Sequence, residues 1–332
     1  MLCDRRTFLG LGAALALAPL GACAPVEEVK RPQDDVQRTL FYFDTVCVVG
    51  GMMDDSVLDE AERACATYEQ LFSRTREGTD VWRINHAAGA PTEVSADTAD
   101  LIRKSLDYSA ASSGLFDITI GAVTELWDFH EQIVPDPAAI EAALPHVGYE
   151  GVHVEGNTVT LSDPEARIDL GGSAKGYVTD RLIELFEASG VESAYVNLGG
   201  NVAVLGNKPD GSAWSVGVRD PFDPESNSVI AKVMTSRGSV VTSGLYERSF
   251  ERDGITYSHI LDPRTGYPVD GEVVSATIYS VASIDGDGYT KPLFMYPLDQ
   301  SLAFLEERGL DGLIVTKDGE RHLTAGSAFE LM

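Results

Sequence analysis

The spacing of hydrophobic residues changes near residue 151, and this change limits the folds open to the chain. Before it, apolar residues recur at helical spacing over 56–72 and 98–112. After it, short runs rich in β-branched residues alternate with glycine-containing turns, and one long helix is predicted over 174–188. Early helices followed by many strands are typical of an α+β fold with a largely antiparallel sheet and flanking helices, rather than a doubly wound α/β fold.

Short apolar runs locate the remaining elements. An N-terminal strand is predicted from Leu40 to Val49, and Asp136 with Pro137 predicts the start of a short helix. The segment 285–308 has helical spacing interrupted at Pro292 and Pro297. The later strands are predicted at 151–155, 158–161, 167–170, 193–197, 201–205, 213–219, 229–235, 239–242, 256–261, 274–281, 312–316 and 320–324.

The charge balance excludes one class of partner. The 332 residues include 25 Lys and Arg against 52 Asp and Glu, which gives a formal net charge of −27. Binding to nucleic acid needs clustered basic residues, so we expect no nucleic-acid partner. The hydrophobic content of 44% excludes an acidic disordered chain, because that much apolar surface supports a core.

The N-terminus is typical of an export signal. Arg5 and Arg6 precede a short apolar run over 11–20, which resembles a twin-arginine signal and is too short to span a bilayer. Leu20-Gly21-Ala22-Cys23 resembles a lipobox, after which Cys23 is lipidated. A chance apolar helix is the alternative.

This interpretation divides the chain into three parts. Residues 1–22 are predicted to be a signal peptide, 23–38 a lipidated polar tether, and 39–330 a single large catalytic domain. The predicted location is periplasmic, anchored to a membrane by lipid without spanning it.

The densest chemical signal lies at 168–177, where a predicted strand runs through Gly171 and Gly172 into a helix. Glycines allow a phosphate to approach backbone N–H groups, and the positive end of a helix favours an anion. A tight turn without a ligand explains the glycines equally well. Lys175 in the first helical turn favours the anion site.

His259 is the candidate general base. It stands at the end of a predicted strand, just before Asp262-Pro263-Arg264-Thr265-Gly266. Imidazole has the side-chain pKa nearest neutrality, and Asp262 could orient the ring. A structural histidine is the alternative that the residue pattern leaves open.

Four separated motifs, in order and spacing, resemble the ApbE family, the FAD:protein FMN transferases. The resemblance extends over about 40–325. The four motifs are Asp169-Leu-Gly-Gly-Ser-Ala-Lys175-Gly-Tyr, Asn197-Leu-Gly-Gly-Asn201, Thr242-Ser-Gly and Ser258-His259-Ile-Leu-Asp262-Pro-Arg-Thr-Gly266, supported by Leu71-Phe-Ser-Arg74, Arg83-Ile-Asn85, Ser113-Gly-Leu-Phe-Asp117 and Leu126-Trp-Asp-Phe129.

The resemblance implies an ApbE-like, T-fold-related domain with magnesium-dependent activity. Such an enzyme cleaves the pyrophosphate of FAD, joins FMN to a Thr or Ser hydroxyl of a partner protein, and releases AMP. The implied partners are redox proteins such as subunits of Na⁺-translocating NADH:quinone reductase or Rnf-type complexes. His259 would be the base. The residues implied to bind FAD are Phe43, Thr75, Leu115, Phe116, Asp117, Asp169, Lys175 and Leu261.

The implied metal site departs from the family pattern. The carbonyl of Gly172 and the carboxylate of Asp287 match the pattern, but Lys291 stands where a threonine ligand belongs. An ammonium group cannot ligate Mg²⁺. Either Thr290 reaches the ion, or Lys291 supplies the positive charge instead. Leu245 and Thr75 are smaller departures, at positions where the family often has Asp and an aromatic residue.

Two other functions remain open from the sequence. A magnesium-dependent FAD pyrophosphatase would yield free FMN and AMP, with water replacing the protein hydroxyl. A noncatalytic flavin-binding lipoprotein would need neither His259 nor Asp287, and the presence of both residues therefore favours an enzyme.

Overall fold

Antiparallel strands form the frame of the fold, which a computed structural model describes over residues 34–226 and 228–332. In chain order the strands are β1 (Asp34–Tyr42), β2 (Thr45–Met53), β3 (Thr92–Glu93), β4 (Val152–Glu155), β5 (Thr158–Leu161), β6 (Ala194–Leu198), β7 (Asn201–Leu205), β8 (Trp214–Arg219), β9 (Val229–Thr235), β10 (Arg237–Gly244), β11 (Ser249–Arg252), β12 (Ile255–Ser258), β13 (Val273–Ser280), β14 (Asp311–Thr316), β15 (Arg321–Leu323) and β16 (Phe329–Leu331).

The helices lie mainly in the first half and near the C-terminal end. They are α1 (Asp55–Phe72), α2 (Asp80–Asn85), α3 (Ala96–Ala111), α4 (Gly121–Thr124), α5 (Pro137–Ala143), α6 (Ala174–Ala188), α7 (Ser283–Thr290) and α8 (Leu298–Glu306), with 3₁₀ turns at Leu144–His146, Tyr149–Gly151 and Lys291–Phe294. The predicted long helix and the interruption at Pro292 and Pro297 are confirmed. Asp136 caps α5 by accepting a hydrogen bond from the Ala138 N–H at 2.8 Å.

One eight-stranded antiparallel sheet organises the domain, in the order β1-β2-β6-β7-β10-β13-β14-β15. Three smaller antiparallel sheets accompany it, ordered β16-β9-β8, β3-β5-β4 and β11-β12. The α+β prediction is therefore confirmed. Helices α1 and α6 cover the sheet with Leu58, Leu182 and Phe186, which are fully or almost fully buried.

The predicted N-terminal strand is a hairpin of two strands. Phe43 and Asp44 form the turn with φ values of 54° and 58°, in the left-handed region. Strand β1 begins at Asp34, so the predicted tether 23–38 is wrong for its last five positions. Exposed polar side chains such as Gln37 look like a tether, but the strand's backbone pairs with β2.

The predicted strand at 167–170 is also wrong. Only Arg167 forms a bridge, to Ile120, and the buried Ile168 pairs with a side chain instead of a neighbouring strand. The Asn85 amide donates to the Ile168 carbonyl at 2.9 Å and accepts from its N–H at 2.8 Å. Apolar composition alone does not distinguish this extended segment from a strand.

Strand β12 ends at Ser258, so the strand predicted at 256–261 is wrong for its last three residues, and His259 lies just after the strand. Strands β3, β11 and β16 and helices α2 and α4 are absent from the predictions, because each is too short to show a period. The predicted signal peptide 1–22 and residues 23–33 of the tether lie outside the described residues. Among the residues described, no helix is long and apolar enough to cross a membrane.

Candidate active site

A cleft of about 1340 Å³ gathers the candidate residues. Its walls come from the β1–β2 turn, the segment that leads into α6, and the loops that follow β10 and β12. The candidates that line it are Phe43, Thr75, Leu115, Phe116, Asp117, Asp169, Gly172, Lys175, His259, Leu261 and Lys291. Asp287 and Thr290 are buried and do not line it. The structure thus brings together residues that are widely separated in the sequence.

The glycine segment before α6 is held rigidly at the cleft wall. Asp169 accepts a hydrogen bond from the Gly171 N–H at 2.8 Å through one carboxylate oxygen and pairs with Arg74 Nε at 3.0 Å through the other. A Cβ on Gly172 would lie 2.8 Å from the Phe116 ring, so glycine is required for the ring to pack there. The segment therefore passes close to the Phe116 ring and leads directly into the N-terminal, positive end of α6.

Helices α6 and α7 meet at a glycine. A Cβ on Gly176 would lie 2.6 Å from Ile284 Cα, and this close approach brings Asp287 to the first turn of α6. The Gly176 N–H donates to one Asp287 oxygen at 2.9 Å. Asp180 caps the facing end of α7 by accepting from the Ser283 N–H at 2.6 Å and the Ile284 N–H at 3.0 Å.

Two ammonium groups converge on Asp287. Lys291 Nζ bonds the carboxylate directly and donates to the Asp287 carbonyl at 2.8 Å, while Lys175 Nζ lies 3.7 Å from the same carboxylate oxygen. Burial opposes ionisation, but both lysines and the bonds from Lys291 and Gly176 hold the pKa of Asp287 below its usual range. Asp287 is therefore a paired carboxylate.

The implied magnesium ion does not fit these contacts. The Asp287 carboxylate is already occupied by Lys291 and the Gly176 N–H, and the Thr290 hydroxyl lies 2.8 Å from Ser243 Oγ and donates to the Asp287 carbonyl at 3.1 Å. The donor set suits an ammonium group better than a divalent ion.

His259 lies at the cleft wall. Its backbone N–H donates to the Arg248 carbonyl at 2.9 Å, whereas its buried Nδ1 has no hydrogen-bond partner among the described residues. Burial, followed by the charges of Arg248, Lys175 and Lys291, lowers the pKa of His259 to about 3. The imidazole is therefore neutral at pH 7 and able to accept a proton.

Two charged residues of the site, Glu247 and Arg248, are absent from the sequence predictions. Burial raises the pKa of Glu247 to about 7, against the lowering effect of Lys175 and Lys291. Arg248 donates to the Asp44 carbonyl at 2.8 Å and fastens the β1–β2 turn to the cleft. Their position three and four residues after Gly244 of the Thr242-Ser-Gly motif was the available signal.

Aromatic side chains also line the cleft. The Phe43 N–H donates to Glu69 Oε1 at 2.9 Å, which fixes the turn that carries this ring. Trp127 and Phe129 stack with centroids 5.8 Å apart, and both line the cleft with Phe116. Flat apolar walls of this kind suit an extended aromatic ligand.

Asp117 and Thr75 are two predicted FAD contacts whose side chains make hydrogen bonds to other residues of the protein. The Asp117 carboxylate accepts from the Thr119 N–H at 2.7 Å, the Thr119 hydroxyl at 2.6 Å and the Tyr149 N–H at 3.0 Å. Burial, opposed by these bonds, raises its pKa. Thr75 is exposed, with its hydroxyl 3.3 Å from Ser73 Oγ. Asp117 thus shapes the loop beside the cleft, and its contact with FAD stays a prediction.

Known proteins resemble the chain over most of its length. An FAD:protein FMN transferase of Klebsiella pneumoniae (strain 342) is 38% identical over 271 residues, which cover 80% of this chain and 84% of that protein. One of Treponema pallidum (strain Nichols) is 34% identical over 290 residues, covering 82% of this chain and 80% of that protein.

Solved structures support the same relationship. The ApbE protein of Thermotoga maritima superposes with a TM-score of 0.81 at 30% identity, covering 88% of this chain and 97% of that one. The flavin transferase ApbE of Vibrio cholerae gives a TM-score of 0.79 at 25% identity, covering 89% and 98%. These likenesses confirm the predicted ApbE-like fold. Because a sequence model of the ApbE family also matches residues 39–314, this chain belongs to the ApbE family.

Proposed function

We infer that this chain is an FAD:protein FMN transferase. The observation that carries the inference is the neutral His259 imidazole on the wall of a cleft that also holds Lys175, Lys291 and the positive end of α6. A base and a cluster of positive groups are what transfer of a phosphoryl-linked group requires. The names of the relatives support this reaction.

The reaction forms one phosphoester bond and breaks one pyrophosphate bond. The hydroxyl oxygen of a Thr or Ser on the acceptor attacks the phosphorus of the FMN half of FAD. The bond from that phosphorus to the bridging oxygen breaks, and AMP leaves with the electron pair. His259 receives the proton of the attacking hydroxyl.

The surroundings of His259 in the cleft set the pKa of its imidazole for this step. With a pKa of about 3, His259 is a weak base, because burial first and the nearby cations second disfavour the imidazolium. Bound pyrophosphate would offset the charges of Arg248, Lys175 and Lys291 and so remove the part of the pKa lowering that these cations cause. The histidine thus becomes a stronger base when the substrate is present.

The pyrophosphate would lie along the Gly171 and Gly172 backbone, beside Lys175. This backbone lines the cleft and leads into α6, where N–H groups and the helix dipole favour an anion. The flavin ring would contact the aromatic wall at Phe43 and Phe116. Lys175 also pairs with Asp287, which holds the lysine at the cleft wall beside the first turn of α6.

The residues before β1 give this activity a proposed location. The twin-arginine-like start and Cys23 in a lipobox-like sequence support export and lipid anchoring in the periplasm. An anchor there would hold the enzyme near membrane redox complexes. Subunits of Na⁺-translocating NADH:quinone reductase or Rnf-type complexes are therefore the proposed acceptors.

Mass spectrometry tests the proposed function. The protein is incubated with FAD, Mg²⁺ and an acceptor domain from one of these complexes, and acceptor mass, FMN and AMP are measured. An acceptor that gains the mass of FMN, with AMP released, is the expected result. Free FMN alone would show hydrolysis, and bound but intact FAD would show a binding protein. His153→Ala, on β4 and outside the cleft, is the control for changes at His259.

A further inference from the structure

We propose that the ammonium group of Lys291 is the built-in cation of the transfer site, so that this chain transfers FMN without a divalent ion at Asp287. The proposal rests on the proposed function for its reaction. Its geometry rests on the contacts of Lys291, which can be tested without any turnover.

Lys291 is positioned by the end of α7. It follows Asp287 by four residues, so the two side chains lie on one face of the helical turn. Its Nζ bonds both the carboxylate and the carbonyl oxygen of Asp287, and its side chain is 17% exposed. The same side chain lines the cleft. An ammonium group held by two hydrogen bonds to Asp287 is therefore part of the cleft wall.

A divalent ion would have to displace this arrangement. Magnesium takes about six oxygen ligands in octahedral geometry and tolerates no N–H donor among them. Asp287 offers one oxygen to Lys291 and the other to the Gly176 N–H. A cation at this carboxylate would also lie within a few ångströms of two ammonium groups, and like charges at that distance repel strongly in a buried site.

The lysine leaves the site positive. Lys175 and Lys291 share the single carboxylate of Asp287, and the nearby Glu247, whose pKa burial raises to about 7, offsets the second positive charge only in part beside the first turn of α6. Lys291 has a third N–H available for a phosphate oxygen. It can therefore stabilise charge that develops on the pyrophosphate by a charge-assisted hydrogen bond, which is the electrostatic part of a metal ion's role.

Manganese binding provides a readout that does not depend on activity. Mn²⁺ is titrated into wild type, Lys291→Thr and Lys104→Thr, and free Mn²⁺ is measured by electron paramagnetic resonance. Lys104 lies on α3 outside the cleft, so its variant controls for the loss of one positive charge. We expect a stoichiometric Mn²⁺ site only in Lys291→Thr. One Mn²⁺ per wild-type chain, lost in Asp287→Asn, would overturn the proposal.

FMN transfer in EDTA and in Mg²⁺ supplies the second readout. Wild type should transfer at the same rate in both, whereas Lys291→Thr should lose about 100-fold in EDTA and regain activity with Mg²⁺. Wild-type activity that disappears in EDTA and returns with Mg²⁺ would refute the inference but leave the proposed function intact. Absence of transfer under every condition would refute the proposed function, and the wild-type Mn²⁺ titration would still decide between lysine and metal.

Discussion

Replacement of Asn85 by alanine should destabilise the fold and loosen the phosphate-binding segment. The Asn85 amide makes two hydrogen bonds to the backbone of Ile168, at 2.9 and 2.8 Å, and both residues are almost completely buried. Ile168 directly precedes Asp169 and the two glycines of the cleft wall. The bonds therefore connect α2 to the segment that would hold the pyrophosphate.

The magnitude follows from the groups left without partners. Asn85→Ala leaves one N–H and one carbonyl of a buried residue unpaired, at about 1–3 kcal/mol each, so the free energy of unfolding should fall by about 2–6 kcal/mol. Typical domains have about 5–15 kcal/mol in total. The affinity for FAD should weaken about tenfold in the protein that remains folded, because the segment loses its anchor.

Urea unfolding monitored by circular dichroism measures the first effect, and FAD titration measures the second. Asn157→Ala is the control, since Asn157 is exposed in the β4–β5 turn and its removal should change stability by about 0.5 kcal/mol or less. A loss below about 1 kcal/mol in Asn85→Ala, with unchanged FAD affinity, would refute the reasoning.

Three further predictions concern the base, the α7 cap and the α6–α7 contact. His259→Ala should lower the transfer rate by about 10²–10⁴-fold while FAD still binds, as measured by acceptor mass and FAD titration; an unchanged rate would remove this residue from the reaction. Burial raises the pKa of Asp180 to about 6, so its contribution to stability is present below about pH 4 and lost as pH rises through 6. Asp180→Asn should lack this dependence in unfolding measured from pH 4 to 7, and identical profiles would contradict it. Gly176→Ala should cost about 1–3 kcal/mol and reduce transfer, because its Cβ would overlap Ile284; wild-type stability would show that the helices can separate at no cost.

Local sequence signals predicted the elements that depend on local chemistry. The bounds of α6 match the predicted 174–188, and the glycines before it do form a cleft wall. His259 also lies in the cleft, as its motif indicated. These features depend on helical period, backbone freedom at glycine and side-chain chemistry, all of which are visible in a short stretch of sequence.

Features that depend on distant contacts were not predictable in this way. Ile168 has the composition of a strand residue, yet its partner is a side chain far earlier in the chain. The β1–β2 turn is formed by Phe43 and Asp44 without glycine, so it lacks the usual hairpin signal. Glu247 owes its raised pKa first to burial, which no local pattern reports.

The pairing of β2 with β6 has a consequence for how the chain folds. These neighbouring strands are separated in sequence by the whole segment 54–193, which contains α1 to α6. Closing so long a loop is entropically costly, and proteins dominated by such non-local pairings fold slowly. The cleft needs Phe43 on one side of this closure and Lys291 on the other. We therefore expect helical signals to appear early in refolding and FAD binding to appear only in the final, slowest phase.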